Sequence, residues 1–335
     1  MTRTRSTRRA VLAALSTLAP IVAAVALAAQ PSGPALAQPG KPVTLVVGYS
    51  AGGSADFVAR VVGEAMAKRL GRQVIVENVA GASGMLAVQK VINAPADGNL
   101  VYMGGTDTVL VPMVNTKVKL DWERDLLPLG RMTTLPMVFA VPAASPYGNL
   151  GDLVAALRKG GKEFNYAIPG IGTMQHLYGA LINKQAKVNM VHVPYRGGAQ
   201  IANDLVGGQV DGAVLVLSTA MPFLKDGKIK ALSVSDVSRV PLLPDVRRLG
   251  EEEGFQGLSL PLWQGLFVKA GTPAATAAAL EKALLEALAQ PDLRAKLADS
   301  GISAAPLNGR ELGAFVAPQA ALYREVVKAA RISME

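Results

Sequence analysis

Two glycine-rich segments hold the side chains best suited to binding. They run Tyr49-Ser50-Ala51-Gly52-Gly53-Ser54-Ala55-Asp56 and Pro169-Gly170-Ile171-Gly172-Thr173-Met174-Gln175-His176. Each follows an apolar run that reads as a strand and precedes a stretch that reads as a helix. Glycine lets the backbone approach a ligand closely and take positive φ. The helix behind such a loop directs unpaired N–H groups and a partial positive charge at it. Anionic oxygens can be held there without Arg or Lys, and Ser50, Ser54 and Thr173 add hydroxyl donors. Neither segment is G-x-G-x-x-G or G-x-x-x-x-G-K-[ST], so dinucleotide and P-loop readings fail. Taken singly, each could be a plain connection with Ser54 or Thr173 as helix N-cap. Taken together and facing each other, they would form a cleft with two opposed anion sites, suited to a small dicarboxylate.

The remaining chemical candidates are few. With no Cys and two His, His176 and His192, the chain offers no thiolate zinc site, Fe–S cluster, Cys nucleophile or His-rich metal cluster. No metal and no cofactor are expected. His176 sits in the first turn of its helix without a visible Ser or Asp partner, which favours a structural or ligand-rim role over that of a catalytic base. His192 alternates within a strand and reads as a core histidine. Asp211, at the start of a buried strand, must be paired, either orienting cleft groups or bonding a neighbouring loop. Arg60 stands four residues after Asp56 and forms a natural i,i+4 pair. Arg196 could point at the cleft or end a solvated loop. No glycosidase-like carboxylate pair and no G-x-S-x-G appear.

The net charge of +9 and the pI of about 9.7 look like a nucleic-acid signal. Four of the basic residues, Arg3, Arg5, Arg8 and Arg9, precede an Ala/Leu/Val run that ends in Ala35-Leu36-Ala37. A basic head, an apolar run and an A-x-A site make an export signal over residues 1–37, with Arg8-Arg9 leaving Sec and twin-arginine routes both open. Removing those four Arg from 34 basic residues leaves 30 against 25 acidic ones, a net of +5. That is an ordinary mixed surface. With an aromatic content of only 5%, it argues against a nucleic-acid partner.

Two α/β units must position the loops. From Val43 to Met103 the pattern is β-α-β-α-β. It repeats between Pro136 and Ser235, with strands at 164–168, 190–194, 210–216 and 229–235. After residue 262, one strand at 264–268 and three helices are expected. Too little for a third domain, they are expected to pack back on the first unit. This gives an α/β, doubly wound, two-domain architecture: 42–140 plus 264–335 as domain I and 141–263 as domain II. At least two crossings would form a hinge between them.

These residues resemble a family, the Bug or TctC-like receptors of tripartite tricarboxylate transporters. Tyr49 to Arg60 fits Y-x-x-G-G-x-x-D-x-x-A-R throughout. Val76 to Gly84 fits V-E-N-R-P-G-A-x-G, except that Val79 and Ala80 replace Arg-Pro. Gly170 to Leu177 fits G-x-G-[ST]-x-x-H-L, and His192 to Gly197 fits H-V-P-Y-[KR]-G. The resemblance implies a type II periplasmic binding fold and a non-enzymatic receptor. It also implies a small carboxylate ligand held between the two loops, and membrane permease subunits as partners. Carried over as ligand-binding are Tyr49, Ser50, Gly52, Gly53, Ser54 and Asp56, with Gly170, Gly172, Thr173 and His176. Asp56 is expected to act as an N-terminal helix acid or a loop anchor rather than touch a carboxylate. A monomer in the periplasm is expected. The alternatives are a ligand sensor serving a two-component receptor and an exported α/β enzyme acting on a carboxylate.

Overall fold

The computed structural model describes residues 40–160, 163–236, 238–256, 258–260 and 262–330. The expected export segment lies outside the described residues.

β1 (Val43–Val47) is apolar and mostly β-branched, and its four apolar residues have no exposed surface. The chain turns through the first glycine loop into α1 (Ser54–Leu70). Val58, Val61, Val62, Ala65 and Met66 recur at helical spacing on its buried face, and Gly71 at φ 60° ends it. β2 (Val74–Asn78), a short turn, α2 (Met85–Ile92) and β3 (Leu100–Gly105) follow. β3 runs without a loop into α3 (Thr106–Val114), and α4 (Trp122–Asp125) leads into β4 (Leu126–Leu135).

After Pro136 a second sheet begins. Its elements are β5 (Met137–Pro142), α5 (Leu150–Arg158), β6 (Phe164–Ile168), α6 (Met174–Ala186) and β7 (Met190–Pro194). They continue with α7 (Gly198–Val206), β8 (Gly212–Val216), α8 (Leu217–Lys225) and β9 (Ile229–Val234). The strand order is β7-β6-β8-β5-β9. β7 and β8 flank β6 in parallel, whereas β5 is antiparallel to β8 and β9.

β10 (Leu262–Lys269) returns to the first sheet and inserts antiparallel between β3 and β4. α9 (Ala274–Leu288), α10 (Pro291–Ala298), β11 (Ser303–Asn308) and α11 (Gly309–Ala330) complete the described chain. The first sheet is ordered β11-β4-β10-β3-β1-β2.

The C-terminal part adds two strands, not one: β11 carries Pro306 and stands at the sheet edge, where a missing N–H is tolerated but the strand signal is weak. β4 was not expected at all, because Pro128, Gly130 and register shifts against β10 break its alternation. Nor were α3 and α8, each of which carries a proline, Pro112 and Pro222, inside its last turns.

In parallel α/β sheets the strand C-termini and the following helix N-termini gather at one edge, where ligands bind. Both glycine loops stand at such edges, after β1 and after β6.

Candidate binding cavity

The starts of five helices converge on one cavity of about 70 Å³. Gly53, Ser54 and Ala55 come from α1, and Thr106, Asp107 and Thr108 from α3. Gln175 comes from α6, Gly198 and Ile201 from the start of α7, and Val216 and Thr219 from that of α8. Tyr49 and the β10 residues Trp263 and Gln264 complete the wall. No Lys, Arg or His lines it among the described residues, and Asp107 is its one carboxylate. The helix ends that meet there carry partial positive charge.

The first loop is built by its own residues. Gly52 takes φ 83°, a conformation that suits glycine, and its N–H donates to Asp56 Oδ2 at 3.0 Å. Arg60 clamps the same carboxylate with Nε at 3.0 Å and Nη2 at 2.8 Å. Burial alone would raise the Asp56 pKa, but the bonds from Arg60, the Gly52 N–H and Asn78 hold it below the ordinary carboxylate range. Asp56 is thus a loop anchor behind the cavity, and Arg60 is its i,i+4 partner. Ser54 is not the N-cap. Gly53 is, without side-chain capping, and the Ser54 N–H donates to Thr219 Oγ1 at 3.1 Å.

The second loop is largely occupied with itself. Thr173 caps α6, its Oγ1 accepting from His176 N at 3.3 Å and donating to Gly170 O at 2.7 Å. His176 Nδ1 accepts from the Gly172 N–H at 3.2 Å, and its ring lies 4.5 Å from that of His192. Burial, with the neighbouring His192, pushes the His176 pKa down to about 4. The ring is therefore neutral and holds the loop.

Of the residues expected to bind ligand, Tyr49, Gly53 and Ser54 line the cavity. Ser50 turns to the β7–α7 loop, its N–H donating to Arg196 O at 3.2 Å. Gly52, Asp56, Gly170, Gly172, Thr173 and His176 support the wall without lining it, and Pro169 and Gln175 represent the second loop instead. The cavity is therefore not two opposed glycine loops. The far wall is made by the starts of α7 and α8. Asp211 Oδ2 accepts from the Asn165 N–H at 2.9 Å, bonding the neighbouring strand. Arg196 is exposed and lines a second recess, which shares Gly48, Tyr49, Ser83 and Pro169 with the cavity.

Asp107 went unread in the sequence, though a signal existed. Gly104-Gly105-Thr106-Asp107-Thr108 repeats the pattern of glycines, then hydroxyl and acid, at a strand-to-helix junction. The Asp107 carboxylate joins the two sheets: Oδ2 accepts from Tyr49 Oη–H at 2.5 Å and Oδ1 from the Met174 N–H at 2.9 Å. Burial raises the pKa of Asp107, opposed by those two bonds, and burial with the Asp107 charge beside it raises that of Tyr49 well above its ordinary value.

The profile described as tripartite tricarboxylate transporter family receptor, TctC, matches residues 58–332. The chain belongs to this family. It is 32% identical over 316 residues to a UPF0065 protein of Bordetella bronchiseptica, covering 94% of this chain and 92% of that one. It is 33% identical over 267 residues to a UPF0065 protein from the tcbD-tcbE intergenic region of Pseudomonas sp. strain P51, covering 80% of each. Among solved structures it resembles the periplasmic binding protein BugD, with TM-score 0.83 and 30% identity over 88% of this chain and 99% of that one. It also resembles MatC of Rhodopseudomonas palustris with bound malate, with TM-score 0.79 and 31% identity over 86% and 99%. This TctC-family chain therefore has the two-domain α/β fold of periplasmic binding proteins.

Proposed function

We propose that the chain is a periplasmic receptor that captures a small carboxylate-bearing solute and delivers it to the membrane subunits of a tripartite tricarboxylate transporter. The observation that carries this reading is the cavity ringed by helix N-termini with no cationic side chain in its wall among the described residues. A carboxylate there accepts N–H bonds in a low-dielectric setting, where charge-assisted bonds are strong. The receptor family, the periplasmic binding protein BugD and the malate bound to MatC support the same reading.

The lobes would be residues 42–140 plus 264–335 and residues 141–263. The chain passes between the sheets at Pro136 and again between β9 and β10. Capture would proceed by closure of a monomer about these crossings, without covalent chemistry. The His176 lone pair, engaged by Gly172, leaves that ring in a supporting role.

Calorimetry and thermal shift with small mono-, di- and tricarboxylates, each paired with its uncharged amide, test the proposal. A bound carboxylate at about 100 times its Kd adds roughly 2.7 kcal/mol to stability and raises the melting temperature. Its amide should do neither. Stabilisation by no carboxylate, or equally by the amides, overturns the assignment.

A further inference from the structure

We propose that the solute carries an ammonium group beside its carboxylate and that Asp107 receives it. The natural ligands are then amino acids rather than plain dicarboxylates. This rests on the carboxylate-receptor reading and narrows its substrate class.

The helix starts supply partial positive charge for one carboxylate, most directly at Gly53 and Ala55 of α1, the Ser54 N–H being engaged by Thr219. Against them stands Asp107, among the described residues the only ionisable carboxylate in the wall, with no Lys, Arg or His beside it there. Among the described residues no ion pair reaches Asp107. Its two donors, the Tyr49 hydroxyl and the Met174 N–H, are both neutral. A carboxylate offers about four acceptor positions, so the two bonds leave about half of them unused. A second carboxylate on the ligand would be repelled there, whereas an ammonium would supply both the missing counter-charge and the missing donors.

An independent observation points the same way. Gln175, only 6% exposed, also lines the cavity, and its Oε1 accepts from no partner. Buried acceptors are ordinarily satisfied. A wall that combines an unneutralised carboxylate with an unfilled amide oxygen is short of donors. It suits a ligand group with several N–H bonds. Arg196, in the outer recess, leaves room for a further anionic or polar group on the distal part of such a ligand without altering the demand at Asp107.

The test uses matched pairs that differ only by an α-ammonium group: acetate and glycine, propanoate and alanine, succinate and aspartate, adipate and 2-aminoadipate, 3-phenylpropanoate and phenylalanine. Affinities are measured by calorimetry on the full mature chain. For the pairs that bind, the amino member should be tighter by about tenfold or more, the scale of one hydrogen-bonded charge contact. In Asp107→Asn, whose amide oxygen can still accept from Met174, that ratio should fall to near unity. The loss should fall on the amino member alone. The wild-type ratio decides the matter even if the variant does not fold.

Carboxylates that bind at least as tightly without the ammonium overturn this inference and leave the receptor reading standing. So does a ratio unchanged in Asp107→Asn. Failure of every member to bind overturns both.

Discussion

His176 works through a lone pair and not through a proton. Nδ1 must stay unprotonated to accept from Gly172, and burial together with His192 brings its pKa to about 4, below the ordinary 6.5. The unfolded chain therefore takes up the proton more readily than the folded one. Stability from this site is complete above pH 6.5, declines as pH falls toward about 4, and levels off below. The full effect is on the order of 3 kcal/mol. Urea unfolding of the wild type and of His176→Gln between pH 4 and 7 should show a steeper acid loss in the wild type. Parallel curves would remove His176 as the cause. Asp56 has the opposite sign: its pKa is depressed, so its contribution is present above the ordinary carboxylate pKa and is lost in acid. Asp56→Ala leaves the Gly52 N–H without its acceptor and Arg60 with only Asn78, and should cost about 1–3 kcal/mol in urea unfolding at neutral pH. A change within a few tenths would mean that the loop holds itself.

At the scale of elements, the second glycine loop fits its surroundings because glycine stands at its start. Gly170 has φ 151°, and a Cβ there would lie 2.5 Å from Ser83 Oγ and 3.2 Å from Ser83 Cα. Gly170→Ala should lower the melting temperature by several degrees, corresponding to about 1–2 kcal/mol, and weaken ligand binding. An unchanged melting temperature would show that Ser83 gives way freely. Thr173→Ala removes the α6 cap and should cost about 1 kcal/mol. The sequence makes these junctions readable because continuous apolar strands such as β1 and β6 meet glycine, hydroxyl and helix in fixed order. It hides others for equally physical reasons. Pro112 and Pro222 mask α3 and α8, and those two helices bring Asp107 and Thr219 to the cavity. The pairing of Asp56 with Arg60 could be read from its i,i+4 spacing alone. The inward turn of His176 toward its own loop could not, since position in a helix does not say which way a lone pair faces.

At the scale of the whole molecule, four hydrogen bonds among the described residues tie loops of the first sheet to loops of the second. Ser50 N donates to Arg196 O, Ser54 N to Thr219 Oγ1, Ser83 Oγ to Ile171 O, and Met174 N to Asp107 Oδ1. If the proposed lobes open and close, these are the bonds of the closed form. Each is worth about 1 kcal/mol net, which is roughly a fivefold change in the balance of closed and open forms. Ser83→Ala and Thr219→Val each delete one of these bonds while leaving both sheets intact. Since apparent affinity scales with the closed fraction, a form already mostly closed tolerates one deletion, and the double variant should bind a stabilising carboxylate about three- to fivefold more weakly. Small-angle scattering separates a shifted balance from a lost ligand contact. The unliganded double variant should have a larger radius of gyration than the wild type, and saturating carboxylate should bring the two together. Identical radii without ligand, alongside weakened binding, would mean that Ser83 and Thr219 act on the ligand directly and that these bonds do not govern closure.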